Sequence, residues 1–215
     1  MYRRARALAT CAALGLTLLA SVSPQPASAS YWGGSWPWSG PGQTVLSLNY
    51  VNNTGGDSKV VNNVTYAAND WTNSSTPVAY NSVGSASITV GIVNDPSNQD
   101  AGDTRIWSHA TELFDQSNGS PCCGSNNYTA ATIVLNTYLF DQSLYATGSP
   151  ASLRERVAEH EFGHAFGLGH SNVASCTNSI MYTPTNYVSY PTSYDGYYTD
   201  HLYPSNAWPS PSGSC

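Results

Sequence analysis

Eleven consecutive residues constrain this chain more than any other feature: His160-Glu161-Phe162-Gly163-His164-Ala165-Phe166-Gly167-Leu168-Gly169-His170. They read H-E-x-x-H-x-x-G-x-x-H. His160 and His164 are four apart, so a helix projects both from one face, one turn apart. Two imidazoles so placed can share one cation, and Zn2+ takes neutral His nitrogen in a tetrahedral site. Glu161 flanks the pair, where its carboxylate can take a proton from a metal-bound water without ligating the metal. Gly167 stands where the helix must stop, and a residue without Cβ can adopt positive φ and turn the chain sharply. That turn returns His170 as a third ligand. Three protein ligands leave a fourth position for water, the pattern of a catalytic zinc rather than a closed structural one. The competing reading is a zinc that serves structure alone.

The stretch from His160 to Tyr182 resembles the metzincin metalloproteases, and most of all their matrixin branch. HEFGHAFGLGHS is followed by Ser179-Ile180-Met181-Tyr182. Metzincins carry a methionine turn beneath the zinc, and Met181 matches it. The resemblance implies that Met181 is a hydrophobic support for the ligand cluster, not a ligand. It implies an α+β, zincin-like fold: a twisted mixed sheet with one antiparallel edge strand, an active-site helix and a largely irregular C-terminal subdomain. It implies one catalytic Zn2+ on His160, His164 and His170. The implied activity is that of a zinc-dependent endopeptidase, hydrolysing peptide bonds through a zinc-bound water with Glu161 as general base. The substrate peptide or protein would add to the edge strand, and residues 183–190 would line the pocket after the cut.

Three departures from the family stand out. No cysteine-containing latency motif precedes the domain. His109 is nearly alone upstream of the motif, so a second zinc held by several His and an Asp is not expected. Position 183 is Thr, where related branches place an auxiliary Tyr. The motif does not distinguish amide substrates. Two alternatives therefore stand beside the endopeptidase: a secreted zinc-containing glycan- or protein-binding domain without protease activity, and a cell-wall peptide hydrolase.

The first 29 residues read as a signal peptide. Arg3, Arg4 and Arg6 form a basic n-region, residues 7–20 are apolar, and Ala27-Ser28-Ala29 is a small-residue cleavage site. The apolar run is too short for a membrane span, so the product is expected to be secreted and not membrane-bound. Beyond it, Lys59, Arg105, Arg154 and Arg156 face thirteen acidic residues. That balance excludes the basic face that nucleic-acid binding needs. The expected partner is a peptide or protein, and the chain is expected to be a monomer. Cys122, Cys123, Cys176 and Cys215 read as two disulfides in an exported protein. Adjacent cysteines bridge each other poorly, so Cys122 and Cys123 are each expected to pair with Cys176 or Cys215.

Residues 30–42 are rich in Trp, Gly and Pro and form no periodic element. They read as a short propeptide, a flexible arm, or aromatic packing on the catalytic domain of residues 43–215. Residues 43–51 alternate as a strand does. Val60, Val61, Val64, Ala67, Ala68 and Trp71 recur at helical spacing, with Asp57 or Ser58 as cap. Residues 86–93 and 129–139 read as strands, the second being the edge strand by resemblance. Asp95, Asp100 and Asp103 beside Gly102 offer a calcium site or a solvated acidic loop. Residues 105–114 are ambiguous between strand and helix. Residues 152–166 form the site helix, with Ser152 and Glu155 as a capping box. A short C-terminal helix is expected near residues 198–202.

Overall fold

The computed structural model describes residues 34–38, 43–109, 111–115, 127–142, 150–171, 177–182 and 188–203. The four cysteines that read as disulfide partners lie outside them, as do residues 1–29 and 183–187. Among these residues six strands and four helices follow in the order β1 (Leu46–Asn52), α1 (Val61–Asn73), β2 (Val78–Ser82), β3 (Ile88–Val93), β4 (Gly102–Ser108), β5 (Thr111–Asp115), β6 (Ala130–Asn136), α2 (Thr137–Phe140), α3 (Pro150–Ala165) and α4 (Ser193–Leu202). The fold is α+β, as the sequence led one to expect.

The strands form one mixed sheet in the order β2-β1-β3-β6-β4-β5. The first four are parallel, with Leu46 beside Val78, Tyr50 beside Ile88 and Val90 beside Ile133. β4 then runs antiparallel to β6, with Gly102 opposite Leu135 and Ile106 opposite Ala131. β5 folds back on β4 through a tight turn at His109, whose φ is 55°. Left-handed backbone of this kind suits a short hairpin turn.

This topology corrects the edge-strand assignment. The Ile133 segment is β6, an interior strand with β3 on one side and β4 on the other. Its side chains Ala131, Ile133 and Leu135 are buried, and the antiparallel margin is the β4–β5 hairpin. The stretch 105–114, ambiguous as sequence, is that hairpin.

Period-two alternation decides which face is covered. Leu46, Leu48 and Tyr50 of β1, Ile88 and Val90 of β3, and Ile106 of β4 point into the core. Helices α1 and α3 cover that face. α1 contributes Val64, Ala67, Ala68 and Trp71, all fully or almost fully buried. Each large apolar side chain so buried contributes about 1.5–3 kcal/mol. α3 contributes Phe162 and Phe166: Tyr80 packs on Phe162 at 4.6 Å between ring centroids, and Trp71 packs edge-on against Phe166 at 4.7 Å. The ring polar groups are satisfied in the same place. Trp71 Nε1 donates to the Glu159 carbonyl at 2.8 Å, and Tyr80 Oη donates to the Phe162 carbonyl at 2.7 Å. The site helix is thus fixed from behind by packing and by hydrogen bonds to its backbone.

Both expected helix caps differ in the structure. α3 starts at Pro150, two residues before Ser152, which suits a residue with preset φ and no N–H to satisfy. At α1 the N-cap is Val60, without a side-chain cap. Asp57 instead accepts from the Lys59 N–H at 2.8 Å, forming an Asx turn one step earlier.

Residues 34–38 lie against the far end of α3. Trp36 Nε1 donates to the Ala165 carbonyl at 2.9 Å, and Tyr203 Oη donates to the Phe166 carbonyl at 2.6 Å. The Trp36 N–H in turn donates to Tyr203 Oη at 3.1 Å. The Trp36 ring stands edge-on to Tyr128. No helix among the described residues is long and apolar enough to cross a membrane.

Candidate active site

His160 and His164 occupy successive turns of α3, buried and with their rings 4.5 Å apart. The helix then ends in a Schellman motif. The Gly167 N–H donates to the His164 carbonyl at 2.9 Å, and the Leu168 N–H reaches back to the Gly163 carbonyl at 3.1 Å. Gly167, the turn residue, has φ of +116°, which an L side chain rarely adopts. The reversal carries His170 back over the helix face. His170 Nε2 lies 3.0 Å from His164 Nε2 and 3.1 Å from His160 Nε2.

Tautomers follow from the partners on the other side of the rings. His160 Nδ1 is 2.9 Å from the Ile180 carbonyl, and His164 Nδ1 is 2.7 Å from the Leu168 carbonyl. A carbonyl oxygen can only accept, so each Nδ1 carries the proton and donates. Each Nε2 is then a lone-pair donor facing the point where the three rings meet. Such second contacts orient metal-binding imidazoles and raise their basicity. Burial, then the charge of the neighbouring imidazoles, pushes the His160 pKa down to about 3 and His164 well below its ordinary value. Burial lowers His170 as well. All three rings are held neutral, the form that binds a metal.

This donor set fits zinc. In a tetrahedral site with Zn–N bonds of about 2.0–2.1 Å, adjacent nitrogens stand roughly 3.3 Å apart. The observed spacings are a few tenths shorter. Among the described residues, the groups of potential metal-binding side chains are this His trio and a second one, Asp70, Glu155 and Glu159. Asp95, Asp100 and Asp103 do not form such a group. Asp95 accepts from the Ser97 N–H and hydroxyl at 2.8 and 2.6 Å, which lowers its pKa, and Asp103 pairs with Arg105 at 3.2 Å.

Glu161 follows His160 and points toward the sheet. Its carboxylate is buried and accepts from the Thr104 hydroxyl at 2.7 Å. Gly102, on the same face of β4, lies so close that a Cβ there would meet Glu161 Oε1 at 2.5 Å and Cδ at 2.7 Å. No spacing within the chain marks Thr104 or Gly102 as neighbours of Glu161. A glycine and a threonine two apart on a strand become informative only once that strand is known to face the helix.

Met181 is buried beneath α3, where a Cβ on Gly163 would collide with its sulfur. The glycine inside H-E-F-G-H therefore admits the methionine. The turn carrying Met181 is held from below by Asp195, the third residue of α4. Its carboxylate accepts from the Ser179 hydroxyl at 2.6 Å, the Ile180 N–H at 3.2 Å and the Thr192 N–H at 2.8 Å. Burial raises the Asp195 pKa, while these hydrogen bonds lower it. From the other side, the Ser171 N–H donates to the Met181 carbonyl at 2.8 Å, and Arg156 donates to the Tyr182 carbonyl at 3.0 Å.

A sequence model of the matrixin family matches residues 37–195. Among solved structures, high choriolytic enzyme 1, a hatching enzyme zinc-protease from the medaka fish Oryzias latipes, is 14% identical with a TM-score of 0.34. That match covers 63% of this chain and 50% of the other, so the chain spans about half the length of that relative. Myroilysin is 18% identical with a TM-score of 0.45, over 80% of this chain and 96% of the other. No curated protein matches the sequence. The matrixin model spans most of the chain, including the motif, the methionine turn and the start of α4, and on that ground the chain belongs to the matrixin family of zinc metalloendopeptidases.

Proposed function

We propose that this chain is a secreted endopeptidase that binds one zinc ion through Nε2 of His160, His164 and His170 and uses Glu161 as its general base. The observation that carries the reading is the convergence of three imidazole Nε2 atoms, two of them oriented by Nδ1–H bonds to backbone carbonyls, on a helix that also carries a buried carboxylate. Zinc held there supplies Lewis acidity, polarising a carbonyl and lowering the pKa of water toward about 7.

The chain's own residues do the rest. Glu161 takes the proton of the attacking water on its carboxylate, then delivers it to the leaving nitrogen as the amide breaks. The Thr104 hydroxyl donates to one carboxylate oxygen and so fixes the orientation of the group that exchanges the proton. The Nδ1–H bonds to Ile180 and Leu168 fix the imidazoles before substrate arrives, so no reorganisation is needed during the reaction. The peptide runs along the β4 side of the sheet, since Gly102 is the strand residue that lies against Glu161. An extended peptide recognised through backbone hydrogen bonds to a strand suits a protease of broad sequence tolerance.

Export is supported by the basic, apolar and small-residue segments of residues 1–29. N-terminal sequencing of the protein recovered outside the cell should begin just after Ala29.

The deciding experiment compares casein cleavage by the mature protein and its Glu161→Ala variant, both assayed for zinc. Cleavage by the first and not the second, at equal zinc content, is the expected result. Equal cleavage by both would remove Glu161 from the mechanism. Absence of cleavage by both, with lysis of cell walls by the wild type alone, would favour a cell-wall peptide substrate.

A further inference from the structure

A second cluster of oxygen donors lies behind the site helix. Asp70 of α1 and Glu155 and Glu159 of α3 each bring a carboxylate oxygen within 4.8 Å of the others. Glu155 and Glu159 are one turn apart and share a face of α3. That face differs from the one carrying His160 and His164, because successive helix positions are rotated by about 100°.

An acidic cluster on a surface is ordinarily solvated, and this one is not. Glu159 is 0% exposed, and its carboxylate meets no donor from outside the cluster, its one hydrogen-bonding neighbour among the described residues being the Asp70 carboxyl. A sealed carboxylate is tolerated when it is paired or coordinates a metal. The chain's basic residues beyond the first 29 are Lys59, Arg105, Arg154 and Arg156. Each makes a contact elsewhere: Lys59 with Asp141, Arg105 with Asp103, Arg154 with the Phe140 carbonyl and Arg156 with the Tyr182 carbonyl.

We propose that Asp70, Glu155 and Glu159 bind a second metal ion, a hard divalent cation of the calcium class. Calcium takes carboxylate oxygens, singly or in pairs, at about 2.3–2.6 Å in flexible geometry, which this spacing accommodates. Magnesium demands a near-ideal octahedron at about 2.0–2.1 Å and keeps several waters, which suits a sealed Glu159 less well. The all-oxygen set and the all-imidazole set sort the two metals by ligand chemistry. The cation crosslinks α1 to the back of α3, one residue before the first imidazole. There the Trp71–Glu159 hydrogen bond already joins the two helices.

The test uses the full mature protein, dialysed free of calcium with zinc kept in the buffer. Terbium, whose emission Trp71 would sensitise, is titrated in and displaced with calcium, and Tm is read with and without calcium. The expected result is a single terbium ion bound, displaced by calcium, and a Tm that rises by several degrees with calcium. Glu155→Gln and Asp70→Asn should each lose both signals, and the control Asp100→Asn should keep both. A wild type without terbium emission and without a calcium-dependent Tm overturns the proposal. So does retention of both signals in Glu155→Gln and Asp70→Asn, which would place the ion elsewhere. Should one variant fail to fold, the other and the wild-type titration still decide. A wild type indifferent to calcium, with Glu155→Gln more stable than it, would mean that the three carboxyls share a proton instead.

Discussion

His160 Nδ1 donates to the backbone carbonyl of Ile180, at 2.9 Å, from a position twenty residues earlier in the chain. The N–H of the same Ile180 donates to the buried carboxylate of Asp195. The orientation of the first imidazole is therefore set by the methionine turn, and the turn by α4. Coupling of this kind makes several residues remote from the zinc position measurable in zinc binding and stability.

Asp195→Ala leaves the Ser179 hydroxyl and the Ile180 and Thr192 N–H groups without their buried acceptor. Loss of charge-assisted bonds of this kind costs about 3 kcal/mol or more. Denaturant unfolding of the zinc-loaded protein should show that loss, and Asp195→Asn should show a smaller one. Unchanged stability in Asp195→Ala would mean that the turn stands without α4.

His164→Ala removes one of three imidazoles and leaves a pair that binds weakly. The purified variant should lose its zinc on dialysis, read by atomic absorption, while the wild type keeps it. A His164→Ala protein that still holds a full complement of zinc would overturn the ligand set.

Met181 fills space under α3, so Met181→Leu, which nearly conserves volume, should cost less than about 1.5 kcal/mol and leave most activity. Gly163→Ala should be far worse, because its Cβ collides with the Met181 sulfur. Combining Gly163→Ala with Met181→Ala should restore part of the lost stability. A double variant whose loss equals the sum of the two singles would show that the two residues do not share that space.

Gly102→Ala places a Cβ 2.5 Å from Glu161 Oε1, so the carboxylate must move. Displacement of a reacting group by about 1 Å costs roughly 100-fold in rate. kcat/KM should fall by about that factor, with zinc content near wild type and a loss of stability of about 1–3 kcal/mol from the overpacking. Full activity in Gly102→Ala would separate β4 from the position of the base.

The local part of this structure was legible as sequence. α1 was readable from Val64, Ala67, Ala68 and Trp71, and α3 from its motif, because a helix face repeats within a few residues. β2 was not read, since Val78-Ala79-Tyr80-Asn81-Ser82 is too short and too polar at its end to show alternation. The Ile133 strand was readable as a strand but not as an interior one. Neighbours in a sheet are set by pairing between distant segments, and no spacing within β6 records that β4 will lie outside it.

The sequence by itself determined the chemistry of the site. Two imidazoles one turn apart, a carboxylate beside the first and a glycine at the helix end place the candidate ligands and base through helix geometry alone. Tertiary structure decided what holds them. The Ile180 carbonyl on His160, the Thr104 hydroxyl on Glu161, the Asp195 carboxylate under the turn and the Asp70 carboxylate behind α3 all come from other elements. Contacts across 15 to 89 positions depend on how helices and strands pack, and burial rather than spacing selects the partners.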